Sequence, residues 1–158
     1  MAFFTDYATL QTTIANYLAR SDLTATIPEF IRLAEDRLSR DLRIRQMLQI
    51  ATTTISSTDG TVEIPADFLA MKDIHISSSD PIRTVTFQSP SNFFRNTRAL
   101  TTGLPTFYTA LGSEFRFAPI GSATDTLQML YYVKPPYMSS TVSSNLWLAN
   151  TPDLLLYA

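Results

Sequence analysis

Residues 24–45, TATIPEFIRLAEDRLSRDLRIR, have the start signal, the apolar period and the charge pattern of one long amphipathic helix. Thr26 and Glu29 stand at the spacing of a capping box, in which two side chains satisfy free N–H groups of the first turn. Pro28 falls in that first turn, where a missing N–H costs nothing. The apolar residues that share one side of the helix are Ile27, Phe30, Ile31, Ala34, Leu38 and Leu42. The sequence therefore predicts a helix over Thr24–Arg45 that buries this side.

The rest of the predicted helix surface is crowded with charges of both signs. They are Arg32, Arg37, Arg40, Arg43 and Arg45, with Glu35, Asp36 and Asp41 between them. Asp36 precedes Arg40, and Asp41 precedes Arg45, by four residues, an order that contributes about 0.2–0.5 kcal/mol per pair. One interpretation is a solvated surface whose charges pair with each other. The other is a protein–protein contact, because arginine is enriched at interfaces. Direct DNA binding is less favoured because acids are interleaved with the arginines.

Composition narrows the class of protein. The 158 residues fit one domain, and the net charge of −2 argues against a general nucleic-acid binder. The absence of cysteine excludes disulfides, thiolate metal sites and a cysteine nucleophile. No run approaches the roughly 20 apolar residues of a membrane span. We therefore expect a soluble protein without a membrane partner.

The remaining chain reads as a first helix, a run of strands and a final helix start. Thr5 to Arg20 has a helical apolar period, with Thr5 as the expected N-cap. The predicted fold class is α+β, with an N-terminal helical hairpin, an antiparallel β-sandwich or open barrel meander, and the start of a C-terminal helix. We treat 1–158 as a single domain. Its parts are the helix hairpin at 1–48, the antiparallel β region at 49–138, a linker at 139–150 and the helix start at 151–158.

Turn signals separate the predicted strands. Asp59-Gly60 predicts a hairpin between the strands 49–57 and 61–64, and Gly112-Ser113 predicts another between 106–111 and 114–118. A single strand is predicted over 82–88, followed by a short helix that starts at Ser89-Pro90. Residues 126–133 form a long predicted strand, whose nearly continuous apolar character indicates a central position in its sheet.

A search for catalytic or ligand-binding residues finds little. His75 is the only histidine and alternates with two isoleucines, which is more typical of a half-exposed strand residue than of a catalytic base. Asp73 alone is too little for a metal site. Glu35 and Asp36 are adjacent on a helix and point in different directions, so they do not form an acid–base pair. Asp67 is more typical of a turn. We predict no enzymatic activity, no cofactor and no metal.

Aromatic residues of the predicted strands and the C-terminal region allow two interpretations. Tyr108 and Trp147, with other tyrosines nearby, favour a sandwich core or a subunit interface. The alternative is a small β-sandwich binding module, which recognises a glycan or surface ligand through Tyr108 and Tyr131. Together with the charged residues of 32–45, Tyr108 and Trp147 are our candidate contact residues for other subunits.

Several short motifs then follow one another over nearly the whole chain. They are LQTTIANYLAR at 10–20, SDLT at 21–24, IPEFIRLAEDRLSRDLRIR at 27–45, IPADF at 64–68, GLP at 103–105 with Tyr108, FAP at 117–119, LYY at 130–132 and NLWLANTPDLLLY at 145–157. In this order they resemble tailed-bacteriophage head-to-tail adaptor proteins, which bind below the portal in the neck of the virion. The block 22–45 is the most specific part of the resemblance.

The resemblance implies a structural role. It implies a homo-oligomeric, dodecameric ring that docks on the portal protein and presents a platform for tail or nozzle proteins. DNA would pass through the ring without sequence-specific contact. The protein would lie at the head–tail junction of a virion assembled in the host cytoplasm, and it would have no catalytic residues. Proteins of this kind usually continue as further helix after the position of Tyr157.

Overall fold

The computed structural model describes residues 5–20, 22–96 and 102–157. They form two compact units. The helical unit combines the described residues up to Met47 with those from Lys134 onward, and the sandwich unit is Leu48–Val133. The predicted α+β class is confirmed, since helices and two β-sheets occur in the same chain.

The described residues contain five α-helices and eight strands. The helices are α1 (Tyr7–Leu18), α2 (Ile27–Asp41), α3 (Pro90–Asn96), α4 (Leu146–Asn150) and α5 (Pro152–Tyr157). The strands are β1 (Leu48–Thr54), β2 (Thr61–Glu63), β3 (Phe68–Ile76), β4 (Arg83–Thr84), β5 (Thr86–Phe87), β6 (Phe107–Leu111), β7 (Glu114–Ala118) and β8 (Thr126–Val133). A short 3₁₀ turn, Arg45–Met47, lies between α2 and β1.

The first helix begins one residue later than predicted. Its N-cap is Asp6 rather than Thr5, and the Asp6 carboxylate accepts a hydrogen bond of 2.8 Å from the Thr9 backbone N–H. The Thr9 hydroxyl accepts from the Asp6 N–H at 3.2 Å and so completes a capping box. A carboxylate also interacts favourably with the positive end of the helix dipole, which favours Asp6 over the preceding threonine.

Helix α2 is shorter than the predicted Thr24–Arg45. The capping box of Thr26 does not form, because the Thr26 hydroxyl donates to the Leu23 carbonyl instead. At the other end the backbone is already extended at Leu42. The Arg43 guanidinium folds back and donates to the carbonyls of Ser39, at 2.5 Å, and Leu42, at 2.8 Å. Carbonyls at the end of a helix need such donors, so Arg43 acts as a C-terminal cap.

The buried side of α2 is rotated about the helix axis relative to the predicted apolar side. Ile27, Ile31, Ala34 and Leu38 are buried as predicted, together with Glu35 and Ser39. Phe30 is instead 49% exposed. The other buried residues of the helical unit are Leu10, Met47, Pro135, Met138, Asn145, Trp147, Leu148 and Leu155.

The C-terminal region contains one helix that was not predicted from the sequence. The predicted linker 139–150 includes α4, whose N-cap is Asn145. The Asn145 side-chain oxygen accepts from the N–H groups of Trp147, at 3.1 Å, and Leu148, at 3.2 Å. The predicted helix start at 151 is confirmed by α5, while residue 158 lies outside the described residues.

The strands form two four-stranded sheets with a common core. Their orders are β1-β8-β3-β4 and β2-β7-β6-β5. The core combines side chains from both sheets, including Ile76 and Met129 from the first and Phe115 and Phe117 from the second. The arrangement is therefore a sandwich and not an open barrel, but it is not wholly antiparallel as predicted, because β5 pairs with β6 in parallel. Strand β8 lies centrally as predicted, although β3, with nine residues, is longer.

Strand pairing confirms one predicted hairpin and corrects another. Strands β6 and β7 pair around Gly112-Ser113 as predicted, and Gly112 has a φ of +61°. The predicted hairpin at Asp59-Gly60 is wrong, because β1 pairs with β8 and β2 with β7. Gly60, with a φ of +66°, does turn the chain there, but the turn leads from one sheet to the other. The predicted strand 82–88 is likewise divided between the sheets as β4 and β5.

Candidate subunit interface

Two acidic residues of α2 attach the helix to the chain segment that follows the sandwich unit. The first is Glu35, whose side chain is inside the helical unit and whose exposure is only 2%. Its Oε1 accepts hydrogen bonds from the Met138 backbone N–H, at 3.1 Å, and from Asn145 Nδ2, at 2.5 Å. Its Oε2 has no hydrogen-bond partner among the described residues. Burial raises the pKa of Glu35 above its ordinary value, although the two donors partly oppose this.

The second acid, Asp36, forms a polar cluster with Lys134 and Tyr137. Lys134 Nζ lies 2.8 Å from Asp36 Oδ1, and the Tyr137 hydroxyl donates to the same oxygen. These hydrogen bonds lower the pKa of Asp36. The ring of Tyr137 also packs against two cations, Lys134 at 4.3 Å and the Arg32 guanidinium at 4.7 Å. Asp36 and Glu35 are therefore occupied by contacts within the helical unit.

Arg40 and Arg45 do not form the ion pairs predicted for them. Neither the Asp36–Arg40 pair nor the Asp41–Arg45 pair occurs among the described residues; the ion pair seen on this helix surface is Arg37–Asp41, at 4.0 Å. Both of these side chains are exposed, so the pair contributes little. Arg40 and Arg45 are exposed and form no ion pair with a described residue. We call the exposed residues Arg37, Arg40 and Arg45 the arginine surface.

Exposed apolar side chains lie on the same helix as Arg37 and Arg40. Phe30 and Leu33, 49% and 64% exposed, precede Arg37 by seven and four residues and so share its side of α2. Beside Arg37 is an open groove of about 360 Å³, lined also by Leu38, Asp153, Leu154 and Tyr157. Exposed aromatic groups next to arginine are typical of protein–protein interfaces.

Three of the candidate contact residues are buried within their own units. Trp147 lies in the helical unit, Tyr108 lies in the sandwich core, and Glu35 is engaged as described above. We therefore leave these three out of the proposed contact surface. The glycan-binding alternative is not supported, because Tyr131 and Tyr108 are both buried in the sandwich core and are not available on the surface. Phe30 and Leu33 were not predicted as surface residues, since the apolar period alone places Phe30 on the buried side.

The geometry around His75 is that of a sheet residue. Its Nε2 lies 3.1 Å from Gln128 Oε1, and its Nδ1 lies 3.5 Å from Asp73 Oδ2. A catalytic histidine would contact a nucleophile on one nitrogen and an orienting acid on the other, whereas here one contact is an amide. In the described parts of the chain, no cluster of three or more His, Cys, Asp or Glu is suited to a metal ion. None of the described helices has the length and apolarity needed to cross a membrane.

Comparison with known proteins completes the assignment of the family. The family model of the SU10 adaptor protein matches residues 5–158, which includes both units and all elements described above. No curated protein matches the chain. The family match confirms the resemblance seen in the sequence motifs, and it indicates a structural component of the virion at the head–tail junction. The chain belongs to the SU10 adaptor protein family, a family of phage head-to-tail adaptors.

Proposed function

We propose that this adaptor assembles as a ring, dodecameric as in the proteins it resembles, below the portal of a tailed phage. In this proposal the ring joins the portal protein to tail or nozzle proteins, and DNA passes through its centre without sequence-specific contact. Assembly takes place in the host cytoplasm, and the protein has no catalytic step to perform.

The observation that carries the proposal is the separation of charges on α2 and on the 3₁₀ turn that follows it. Glu35 and Asp36 are held by Asn145, Met138 and Lys134, while Arg40 and Arg45 are exposed without an ion-pair partner among the described residues. A helix that served only as a solvated surface would gain from pairing its own charges. Arg40 and Arg45 are instead available to carboxylates of another chain, to which guanidinium groups bind with two parallel hydrogen bonds.

The charge of the whole chain supports contacts between unlike surfaces. Residues 32–45 carry five arginines against three acids, whereas the chain has a net charge of −2, so the remaining residues are acidic overall. Subunits of a ring meet through heterologous interfaces, in which one patch contacts a different patch of the next copy. A basic helix surface and an otherwise acidic chain are complementary in that geometry.

The arginine surface is tested by a triple variant, Arg37→Ala with Arg40→Ala and Arg45→Ala. We expect the variant to fold, because these side chains are exposed, and to enter phage particles at a level reduced roughly tenfold or more. Mass spectrometry of purified particles from a complemented adaptor-deficient phage measures the incorporated amount. The matched control is Arg95→Ala, which removes an exposed arginine from α3 in the sandwich unit.

Two results would count against the proposal. If the triple variant and Arg95→Ala both enter particles at the wild-type level, the arginine surface does not make the contact. If imaging of labelled wild-type adaptor places it outside the neck, the adaptor role in this position is wrong.

A further inference from the structure

Strand β1 is an edge strand without the usual protection against pairing. It has seven residues, whereas the other sheet edges, β2, β4 and β5, have three, two and two. Natural edges are commonly blocked by shortness, by charged side chains or by bulges. Strand β1 has no charged residue, and its seven pairs with β8 run without a register shift. Strand β3, in the same sheet, shows two such shifts.

The direction of the β1 backbone groups follows from the hydrogen bonds of β8. Ser77 N–H donates to the Thr126 carbonyl at 2.9 Å, so the backbone of Thr126 faces β3. Successive residues of a strand direct their N–H and C=O groups to alternate sides, so the backbone of Leu127 faces β1. The bond of 3.0 Å from Val85 N–H to the Ile74 carbonyl agrees, because Ile74 pairs with Met129 and points its carbonyl away from β8.

The register of β1 then separates its residues into two sets. Thr53 pairs with Leu127, and with Ala51 and Gln49 it directs its backbone groups to β8. The residues whose N–H and C=O groups point outward from the sheet are Leu48, Ile50, Thr52 and Thr54. No described backbone or side-chain group bonds to these outward groups. Ile50 is 63% exposed, and Thr52 and Thr54 are exposed as well.

We propose that the outward edge of β1 binds an extended, uncharged segment of another polypeptide of the phage neck as an added strand. This inference rests on the proposed function, which places the protein in the neck. Backbone hydrogen bonds to the four outward residues supply the affinity, and an apolar side chain of the incoming segment covers Ile50. An uncharged segment fits because no residue of β1 provides a partner for a charge.

A second copy of this chain matches the edge less well than a different polypeptide does. The other described edges of the sheets have at most three residues and so cannot pair along all seven residues of β1. Pairing of β1 with β1 of another copy would relate the two copies by a two-fold axis, which closes a dimer and does not build a ring. We therefore assign the added strand to a different neck protein.

Proline substitution tests the outward N–H groups. Thr52→Pro removes an N–H that points away from β8, a position at which proline is tolerated in edge strands. Thr52→Val is the matched control, since it keeps the N–H and the β-branched shape. A photo-crosslinking amino acid at position 50 records the neighbour of β1 in assembled particles. We expect a cross-link to a different neck polypeptide, unchanged by Thr52→Val and lowered about tenfold by Thr52→Pro.

Hydrogen–deuterium exchange provides a readout on the unaltered protein, should Thr52→Pro fail to fold. In the isolated chain we expect the amides of Ile50, Thr52 and Thr54 to exchange at least about tenfold faster than those of Ala51 and Thr53. In assembled particles the same segment becomes protected. Equal exchange in both forms would overturn the added strand.

The outcomes distinguish the two proposals. An adaptor found in the neck whose β1 cross-links only to other adaptor copies, or equally in Thr52→Pro and Thr52→Val, overturns the added strand alone. An adaptor that is absent from the neck overturns the proposed function, and the added strand with it.

Discussion

Glu35 is a buried carboxylate whose pKa is raised, so its ionisation opposes folding. The folded state binds its proton more tightly than the unfolded chain. The contribution of Glu35 to the stability of the folded protein is therefore most favourable below the pKa that Glu35 has in the unfolded chain. It is lost as the pH rises through the higher pKa of the folded state. Glu35→Gln keeps the acceptor that Asn145 and Met138 use and removes the charge. We expect the stability of this variant, relative to wild type, to increase between about pH 4 and about pH 8 in urea unfolding.

The matched control for this prediction is Glu29→Gln. Glu29 is exposed in the first turn of the same helix, and we expect its substitution to change the free energy of unfolding by less than about 0.5 kcal/mol. If the stability of Glu35→Gln relative to wild type is the same at both pH values, the charge of Glu35 does not destabilise the folded protein.

Asp36 has the opposite dependence on pH. Hydrogen bonds from Lys134 and Tyr137 lower its pKa, so its stabilising contribution is present above the unfolded pKa and is lost as the pH falls through the folded value. Asp36→Asn should therefore destabilise the protein at neutral pH, and the difference from wild type should disappear in strong acid. Urea midpoints at about pH 7 and about pH 2 measure this. Asp41→Asn, on the exposed side of α2, should show a smaller difference at neutral pH.

At the scale of the secondary-structure element, the period of α2 predicted most of its buried side but not Glu35. Ile27, Ile31 and Leu38 were placed correctly because their spacing is a local property of the chain. Glu35 was treated as solvent-facing because it is charged, although it follows Ile31 by four residues and so lies on the buried side. Its donors Met138 and Asn145 are 103 and 110 residues away along the chain, and no local pattern identifies them.

The strands show the same limit of local reasoning. The hairpin at Gly112-Ser113 was predictable because the turn residues and both partner strands are adjacent in sequence. At Asp59-Gly60 the turn was predicted, yet the strand partners were not, because β1 obtains seven continuous pairs from β8 far along the chain. The open edge of β1 follows from that pairing, so the sequence alone did not indicate it.

The side chain of Asn145 caps α4 and also connects this helix to Glu35 of α2. Asn145 caps α4 through its oxygen and donates through Nδ2 to Glu35 and to the Pro136 carbonyl at 3.0 Å. Asn145→Ala removes the cap, which is worth about 0.5–2 kcal/mol, and leaves Glu35 with one donor fewer. We expect a loss of about 2–3 kcal/mol in chemical unfolding, at the upper end of single-residue effects.

Asn150→Ala is the control from the other end of α4. Asn150 is exposed and donates to the Leu146 carbonyl within the same helix, so we expect its removal to cost less than about 1 kcal/mol. Equal losses for the two variants would indicate that Asn145 contributes only as an ordinary helix residue.

At the scale of the whole molecule, residues 32–45 carry a positive charge, whereas the whole chain has a net charge of −2. Exposed charges on partner surfaces are screened by salt, with a Debye length of about 10 Å at 0.1 M and about 3 Å at 1 M. Contacts made by the arginine surface should therefore weaken as the salt concentration rises. Contacts that depend on Phe30 and Leu33 should change little, because burial of apolar surface is not electrostatic.

This difference predicts how the adaptor binds to particles that lack it. Binding of the wild-type protein should weaken between about 0.05 M and about 0.5 M NaCl. The triple variant at Arg37, Arg40 and Arg45 should bind more weakly at low salt and show a flatter dependence, because the screened groups are gone. Arg95→Ala should keep the wild-type slope, since Arg95 lies outside the arginine surface. Parallel slopes for wild type and triple variant would mean that the surface contributes no electrostatic attraction, and the charge separation on α2 would then serve the helical unit alone.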